Sequence, residues 1–304
     1  SFLMSQYFGV FSDLGRVGLP AELQGMPQIN VGFHGKGILE PDHGGLLDKE
    51  HGSLESPERI EPLLKMLAEE EVKLSVFVVG EVLQKFPRVI ELFSRYDAEF
   101  HGHSYSHDSH AADSMEEIRK CKQVYEEYFK TPPLGYRAPL GKISDQGVAS
   151  LEKAGFQFDA SVFPSVFPNP FKYLFFPRKP HLYKNTSVLE IPNSSLTPLQ
   201  LTFSISYIKL LGFRFYRTLM EFWKIPDVLV FGCHLHDFLP HPQAIRRLPV
   251  FWRMIYSRNK TKGMEYTRRM IRLFRKKGYT FVFMSQINSM FRSAADEAKQ
   301  HTSR

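Results

Sequence analysis

The segment VKLSVFVVGEVLQKFPRVIELFSRYDAEFH, residues 72–101, carries the pattern that decides the fold. Its first part, Val72–Gly80, is rich in β-branched and aromatic residues and ends at glycine, which is typical of a buried strand. A helix is predicted from Glu81 to about Tyr96, and a short second strand over Ala98–His101. Strand, helix and strand in this order predict a βαβ unit with parallel strands.

Strands and helices alternate on both sides of this unit. Gln28–Phe33 and Val228–Cys233 are predicted strands, and a basic helix over Met264–Lys277 leads to a last strand, Tyr279–Met284. Further helices are predicted from Ser56-Pro57 to Glu71, from Ser114 to about Phe129, over Ser144–Ala154 and from about Ile205 to Trp223, and further strands over Phe156–Asp159 and Val188–Pro192. This alternation predicts an α/β fold built on a parallel sheet or barrel.

Composition excludes several classes of protein. The 304 residues are 43% hydrophobic and 23% charged, which is ordinary for a globular chain and excludes disorder as the main state. Two cysteines, Cys121 and Cys233, are too few for a disulfide framework and favour a reducing compartment. The first 16 residues lack the basic start, apolar core and cleavage site of a secretory signal. We therefore expect a cytoplasmic protein.

Positive charge is concentrated near the end of the chain. The net charge is +7, and residues 246–277 hold twelve Lys or Arg and one acid, Glu265, which leaves the rest of the chain at −4. Such a segment suggests an anionic partner, either a membrane surface or a phosphate-linked substrate, and hence a position peripheral to the inner membrane. A solvated helix face explains the charge equally well. No nucleic-acid motif is present, so no nucleic-acid partner is predicted.

Seven of the twelve histidines fall in two short clusters, each just after a predicted strand, where α/β folds place their sites. The clusters are His101, His103, His107 and His110, and then His234, His236 and His241. The spacing of four between His103 and His107 allows two imidazoles on one turn to bind one metal ion such as zinc. Taken alone, this pair is more typical of a polar surface loop than of a metal site.

Four motifs follow in order: HSYSH (103–107), YRAPLG (136–141), FDASVFP (158–164) and CHLHDF (233–238). Together they resemble the polysaccharide deacetylases with NodB homology, carbohydrate esterase family 4. The resemblance implies a single-domain distorted (β/α)7 barrel over residues 28–290, after an N-terminal extension, 1–27, and before a tail, 291–304. It also implies a metal-dependent hydrolase that removes an N-acetyl group from an amino sugar in a polysaccharide or a lipid-linked glycan precursor.

The resemblance assigns a metal site and its surroundings. His103 and His107 match the family's two metal-binding histidines, and the expected ion is divalent, with zinc as the first choice. Arg137 and Pro139 match an Arg-x-Pro motif, in which Arg137 orients a catalytic carboxylate and Pro139 shapes the substrate site. A bound metal ion would activate water and polarise the carbonyl of the amide.

The remaining step of amide hydrolysis is protonation of the leaving amine, which suits a histidine. The resemblance assigns that role of general acid to His236, and implies that Asp159 hydrogen-bonds it, which would fix its tautomer and favour its charged form. Leu235 would line the pocket for the acetyl methyl group. His234 is an alternative acid, and His236 is preferred because of its position in the motif.

The first motif of the family is degenerate here. The family has a Phe-Asp-Asp-Gly segment, and this chain has GFHGKG at residues 32–37, with His34 at the position of the catalytic base and Gly35 at that of the third metal ligand. Because glycine has no side chain to bind metal, we expect the ligand from the following loop, with Asp42 as the first candidate and Glu40, His43, Asp48, Glu50 and His51 as others. His34, at the end of its strand, is an alternative ligand.

Three alternatives stay open. The site could work with only two protein ligands or without metal. The chain could be a catalytically inactive pseudoenzyme that binds a glycan on the same fold. It could also hydrolyse another non-peptide C–N bond.

Overall fold

The computed structural model describes residues 28–33, 54, 57–164, 176–196, 200–239, 245–246 and 250–302. The strands of these regions are β1 Gln28–Phe33, β2 Leu74–Val78, β3 Ala98–Gly102, β4 Gly135–Tyr136, β5 Phe158–Asp159, β6 His181–Leu182, β7 Leu189–Glu190, β8 Ser195–Leu196, β9 Leu201–Thr202, β10 Val228–Cys233 and β11 Thr280–Phe281. The helices are α1 Glu61–Glu69, α2 Gly80–Lys85, α3 Pro87–Ser94, α4 Met115–Phe129, α5 Asp145–Ala154, α6 Ile205–Leu211, α7 Phe213–Phe222, α8 Val250–Ser257, α9 Gly263–Lys276 and α10 Met284–Thr302.

Nine of the described strands form one sheet in the order β10-β1-β2-β3-β4-β5-β7-β6, with β11 also paired to β1. All these pairs are parallel except β6 with β7, and β8 and β9 form a separate hairpin. The prediction of an α/β fold on a parallel sheet is therefore confirmed.

The two faces of the sheet carry different parts of the core. Side chains alternate along β2 and β10, so that Val76 and Phe231 pack against helices while Phe77 and Val230 point to the other side. We call that other side the Phe158 face, because Phe158 lies in the same cluster together with Met284 of α10. The sheet is thus covered by apolar side chains on both sides, and the Phe158 face is the second of these two layers.

The sheet does not close into a barrel through strand pairing among the described residues. The gap between β7 and β10 is instead spanned by Ser194, whose backbone N–H donates to Val230 O at 3.3 Å and whose Oγ accepts from Val230 N at 2.8 Å. A closed seven-stranded barrel is not confirmed, and the domain boundaries proposed from the sequence stay a prediction.

Two long predicted helices are each broken in two. The stretch from Glu81 to Tyr96 divides into α2 and α3 at Phe86-Pro87, because proline lacks the N–H that continues a helix. The stretch from Ile205 to Trp223 divides at Gly212, whose φ of +97° favours glycine. Among the described residues, no helix has the length and apolar character needed to cross a membrane.

Candidate active site

The sheet brings both histidine clusters to one edge. The strands β3 and β10 are parallel members of one sheet, so His103 and His234 follow their carboxyl ends on the same side. Only β1 and β2 separate them, which corresponds to about 14 Å along a flat sheet at roughly 4.8 Å per strand. His34 directly follows β1 and falls between them in the strand order, but it lies outside the described residues.

The His103 ring is fixed in one tautomer. Its Nδ1 lies 2.7 Å from the carbonyl oxygen of Arg137, and because a carbonyl only accepts, Nδ1 must carry the proton. The lone pair of the ring is then on Nε2, the atom that a metal ion can bind. The His107 ring lies 4.9 Å away, centroid to centroid, and both side chains are buried. The two rings therefore meet, as the resemblance implies.

The HSYSH segment is a left-handed turn and not a helix. Ser104 and His107 have φ of +56° and +66°, and Ser104 Oγ accepts from the His107 N–H at 2.9 Å. Glu117 of α4 anchors the turn, because its Oε1 accepts from the backbone N–H of Ser106 at 2.8 Å and from the Ser106 hydroxyl. The sequence predicts only that Glu117 lies in the helix that begins at Ser114, so its role at this turn was missed.

Replacing Glu117 with alanine should loosen this turn. The backbone N–H of Ser106 would lose its acceptor, which typically lowers the free energy of unfolding by about 1–3 kcal/mol. Glu117→Gln should lose less, since its amide oxygen still accepts. Urea unfolding of both variants checks this, with Glu116→Ala at the exposed neighbouring position as the control. Equal stability of Glu117→Ala and Glu116→Ala would contradict the anchoring role.

Arg137 is fully buried on the Phe158 face. Its Nε donates to the carbonyl of Ala160 at 2.8 Å, and its guanidinium lies 4.4 Å from the centre of the Phe77 ring. Its backbone thus orients His103 while its side chain ties β4 to β5. Pro139 is buried in the following 3-10 turn, Pro139–Gly141. The substrate role of Pro139 and the carboxylate-orienting role of Arg137 stay predictions.

Asp159 belongs to a buried pair of carboxyl groups. It lies opposite Glu190 across β5 and β7, and the Tyr183 hydroxyl lies 2.9 Å from Asp159 Oδ2 and 2.7 Å from Glu190 Oε2. Ser161 Oγ donates to Asp159 Oδ1 at 2.6 Å. Because the tyrosine has one proton to donate, the second contact requires a proton on one of the carboxyl groups.

Burial raises the pKa of Asp159 and, together with the adjacent Asp159 charge, raises the pKa of Glu190 well above its ordinary range. Among the described residues, Asp159 makes no hydrogen bond to His236, so that implied contact gains no support here. Glu190 and Tyr183 were missed in the sequence. The one signal was an acid inside the apolar strand VLEIP.

This pair should make the fold less stable at alkaline pH. A carboxyl group whose pKa is raised by folding stabilises the fold fully below its unfolded pKa, and that contribution is lost as pH rises through the folded pKa. The loss should approach about 1.4 kcal/mol per pH unit for one proton. Urea unfolding from pH 5 upward should show this decline, which Glu190→Gln should flatten and the exposed Glu127→Gln should leave unchanged. Identical slopes in all three proteins would refute the shared proton.

The second histidine cluster forms a compact turn after β10. Leu235–Asp237 is a 3-10 turn in which the rings of His234 and His236 stack at 4.8 Å. Asp237 closes the turn by accepting from the His234 N–H at 3.1 Å. Burial favours a raised pKa of Asp237, but the charges of His236, Lys209 and His234 and a hydrogen bond from His234 hold the pKa below its ordinary value. Leu235 is buried in the apolar core.

Two later helices hold this turn in place. The Tyr256 ring of α8 contacts the His236 ring edge-on at 5.6 Å. Gly263, at the start of α9, packs so closely on the turn that a Cβ there would lie 2.0 Å from Asp237 O. Glycine at this position is therefore required for α9 to begin beside His236.

The side chains of His234, His236 and Asp237 form a second group that could bind a metal ion, with ligand atoms within 4.8 Å of one another. The Asp237 carboxylate already accepts from the Ser206 hydroxyl at 2.8 Å, and Lys209 Nζ lies 3.5 Å from its Oδ1. A lysine ammonium so close repels a divalent cation. The donor set at His103 and His107, in which the Arg137 carbonyl orients the His103 ring with Nε2 as the ligand atom, is the one that the resemblance assigns to the metal ion.

Several predicted residues lie outside the described part of the chain. They are His34, Asp42, the other candidate ligands Glu40, His43, Asp48, Glu50 and His51, and His241. The identities of the base and of the third ligand therefore stay predictions. His101, the first histidine of its cluster, is buried between the rings of Phe77 and Phe158, with Nε2 2.9 Å from Glu99 Oε1. It is a core residue.

Much of the basic segment is neutralised within the chain. Glu70 lies against α9, with Arg272 Nη2 2.8 Å, Arg275 Nη1 3.6 Å and Arg268 Nε 3.7 Å from its carboxylate. Arg268 also pairs with Glu69 at 2.8 Å. Most arginines of α9 are therefore already paired with glutamates of the same chain. This helix has little free positive charge with which to bind an anionic partner.

Comparisons with known proteins agree with this architecture. Residues 48–158 match the family model described as polysaccharide deacetylase. A peptidoglycan deacetylase-like protein, FGM2, from Gibberella zeae is 30% identical over 94 residues, which cover 30% of this chain and 28% of that protein. The match therefore spans less than a third of the relative's length.

Two solved structures share the fold at low sequence identity. One, described as a polysaccharide deacetylase from Mycobacterium smegmatis, has a TM-score of 0.60 and 17% identity, over 92% of this chain and 96% of that one. Another so described, from Pseudomonas aeruginosa PAO1, has a TM-score of 0.55 and 17% identity, over 88% and 91%. The family match covers little more than a third of the chain, and this segment, which holds the His103–His107 turn and Arg137, is similar to the polysaccharide deacetylases.

Proposed function

We propose that the chain hydrolyses the N-acetyl group of an amino sugar in a polysaccharide or a lipid-linked glycan precursor. The observation that carries the proposal is the hydrogen bond from His103 Nδ1 to the Arg137 carbonyl oxygen. It joins two family motifs and leaves Nε2 of His103 as the ligand atom. The family match over residues 48–158 supports the substrate class, since glycans are what this family is named for.

The residues fit a divalent metal ion, for which zinc is the proposed identity because it favours imidazole nitrogen. His103 and His107 would hold it, with a third ligand from the loop that contains Asp42. When bound, the ion would supply an activated water and would polarise the acetyl carbonyl. His34 is proposed as the base that accepts the proton of that water.

The proton for the leaving amine is proposed to come from His236. Its Nε2 lies 3.9 Å from Asp237 Oδ1, and a buried carboxylate at this distance stabilises the imidazolium form that donates the proton. Leu235 would contact the acetyl methyl group beside it. Arg137 acts through His103, since its carbonyl sets the tautomer of that ring.

Acetate release tests the proposal. The purified chain is incubated with added zinc and a panel of N-acetylglucosamine oligosaccharides and N-acetylated bacterial glycans, and acetate is measured together with the free amine. The proposal predicts that acetate and free amine are released in equal amounts, and that their release stops when zinc is chelated. Failure of a folded, zinc-loaded protein to release acetate from the whole panel would count against it, and release of ammonia or a different acid would indicate another C–N bond.

A second candidate is a glycan-binding protein without catalysis. It is favoured by Gly35, which stands where the family has its third metal ligand. It predicts that the chain binds an N-acetylated oligosaccharide in calorimetry, contains no stoichiometric metal and keeps its affinity in His103→Ala. One equivalent of zinc that is lost in that variant would exclude this candidate.

A further inference from the structure

The helix α8 presents an uncovered apolar pair to solvent. Val250 and Met254 are 63% and 68% exposed, and their spacing of four places them on one side of the helix. Neighbouring exposed apolar side chains that form a patch often mark a surface that contacts a membrane or another protein. Arg253, between them in sequence, is exposed as well.

Positive charge surrounds α8, and three of its cations have no acidic partner among the described residues, whereas Lys262 pairs with Glu265. Residues 238–264 hold six Lys or Arg and no Asp or Glu. Arg253, Arg258 and Lys260 make no ion pair with an acid of the described residues, in contrast to the arginines of α9 that Glu70 holds. The unneutralised charge of the basic segment is therefore concentrated where the apolar pair is exposed.

We propose that α8 docks on an anionic lipid membrane, with Val250 and Met254 in the interface and Arg253, Arg258 and Lys260 against the headgroups. Apolar residues flanked by cations are the features that hold an interfacial helix on anionic lipid. Since Tyr256 of the same helix contacts His236, docking brings the candidate site to the membrane. The inference rests on the proposed function in one respect: it selects the lipid-linked glycan as the substrate class.

Vesicle co-sedimentation of the full chain tests this without any turnover. The probes are vesicles of phosphatidylcholine alone and of phosphatidylcholine with roughly 30 mol% phosphatidylglycerol. Binding is expected only to the anionic vesicles and should weaken with salt. Val250→Ser with Met254→Ser should weaken it about tenfold, and Arg253→Gln about fivefold, the effect of one cation near the surface.

Two matched control variants show whether a loss of vesicle binding is specific to α8. Leu134→Ser removes an exposed leucine that precedes β4 and so lies at the opposite edge of the sheet, and Arg268→Gln removes an arginine that is already paired with Glu69. Both should bind like the parent chain. Equal binding to both kinds of vesicle, no binding, or full binding by the Val250→Ser/Met254→Ser protein would overturn the proposal.

Sedimentation velocity without lipid decides whether the exposed pair serves another purpose. A monomer is expected, and self-association that the Val250→Ser/Met254→Ser change abolishes would overturn the membrane docking in favour of a protein contact. A chain that binds anionic vesicles but releases no acetate would refute the proposed hydrolysis while leaving the docking intact. A chain that releases acetate but ignores vesicles would do the reverse.

Discussion

Replacing His103 with alanine is expected to remove the bound metal ion and to lower kcat/KM for acetate release on the order of a thousandfold. The ring is fully buried, and its Nδ1 donates to the Arg137 carbonyl, so both the ligand atom and its orientation are lost. Elemental analysis and steady-state kinetics on the same preparation measure the two effects together.

His110→Ala is the matched control for this prediction. His110 belongs to the same histidine cluster in the sequence, but its side chain is exposed and its backbone N–H donates to Asp108 Oδ1. It should keep one equivalent of metal and full activity. If His103→Ala retains zinc, or if both variants lose activity alike, the assignment of the 103–107 turn as the metal site is wrong.

Replacing His236 with alanine is expected to lower kcat by roughly a hundredfold to ten-thousandfold while the bound metal stays in place. The side chain is proposed to protonate the leaving amine and not to bind the ion. The fall of the rate at alkaline pH, which reports loss of the acid's proton, should therefore vanish in the variant. Rate profiles against pH and metal content together check this.

His234→Ala distinguishes the two neighbouring rings. His234 is a suitable control because it is also a histidine and its ring stacks on that of His236 at 4.8 Å. Its side chain is more exposed than that of His236. We expect His234→Ala to change the rate much less and to keep the alkaline fall of the profile. The reverse order of effects would assign the acid to His234, and loss of metal in either variant would favour the His234–His236–Asp237 group as the metal site.

The strands with strong apolar runs were predictable from sequence, whereas the breaks in helices were not. β1 and β10 have the predicted bounds, Gln28–Phe33 and Val228–Cys233, because QINVGF alternates apolar with polar or small residues and VLVFGC is a short continuous apolar run, both of which are strand patterns. The interruptions at Pro87 and Gly212 were hidden by an apolar periodicity that continues across them. A break in a helix depends on a single proline or glycine, and a periodicity that is assessed over many residues does not reveal it.

The residues of the candidate site that belong to sequence motifs were predictable, whereas the contacts that these motifs make with other helices and strands were not. Motif order indicated His103, His107 and Arg137, and the structure brings them together. The contacts of Glu117 with Ser106 and of Glu190 with Tyr183 depend on how α4 and β7 pack, which spacing alone does not reveal. The neutralisation of α9 by Glu70 joins residues 202 positions apart, so the charge count along the chain overstated the free charge there.

The central claim is that the 103–107 turn is the metal centre of a hydrolytic site that also contains His236. An anomalous difference map from zinc-soaked crystals tests it most directly. The account predicts one strong zinc peak between the rings of His103 and His107, with the His236 ring facing the same cleft. A peak on His234, His236 and Asp237 instead, or a His236 ring turned away from a zinc ion at the turn, would contradict it.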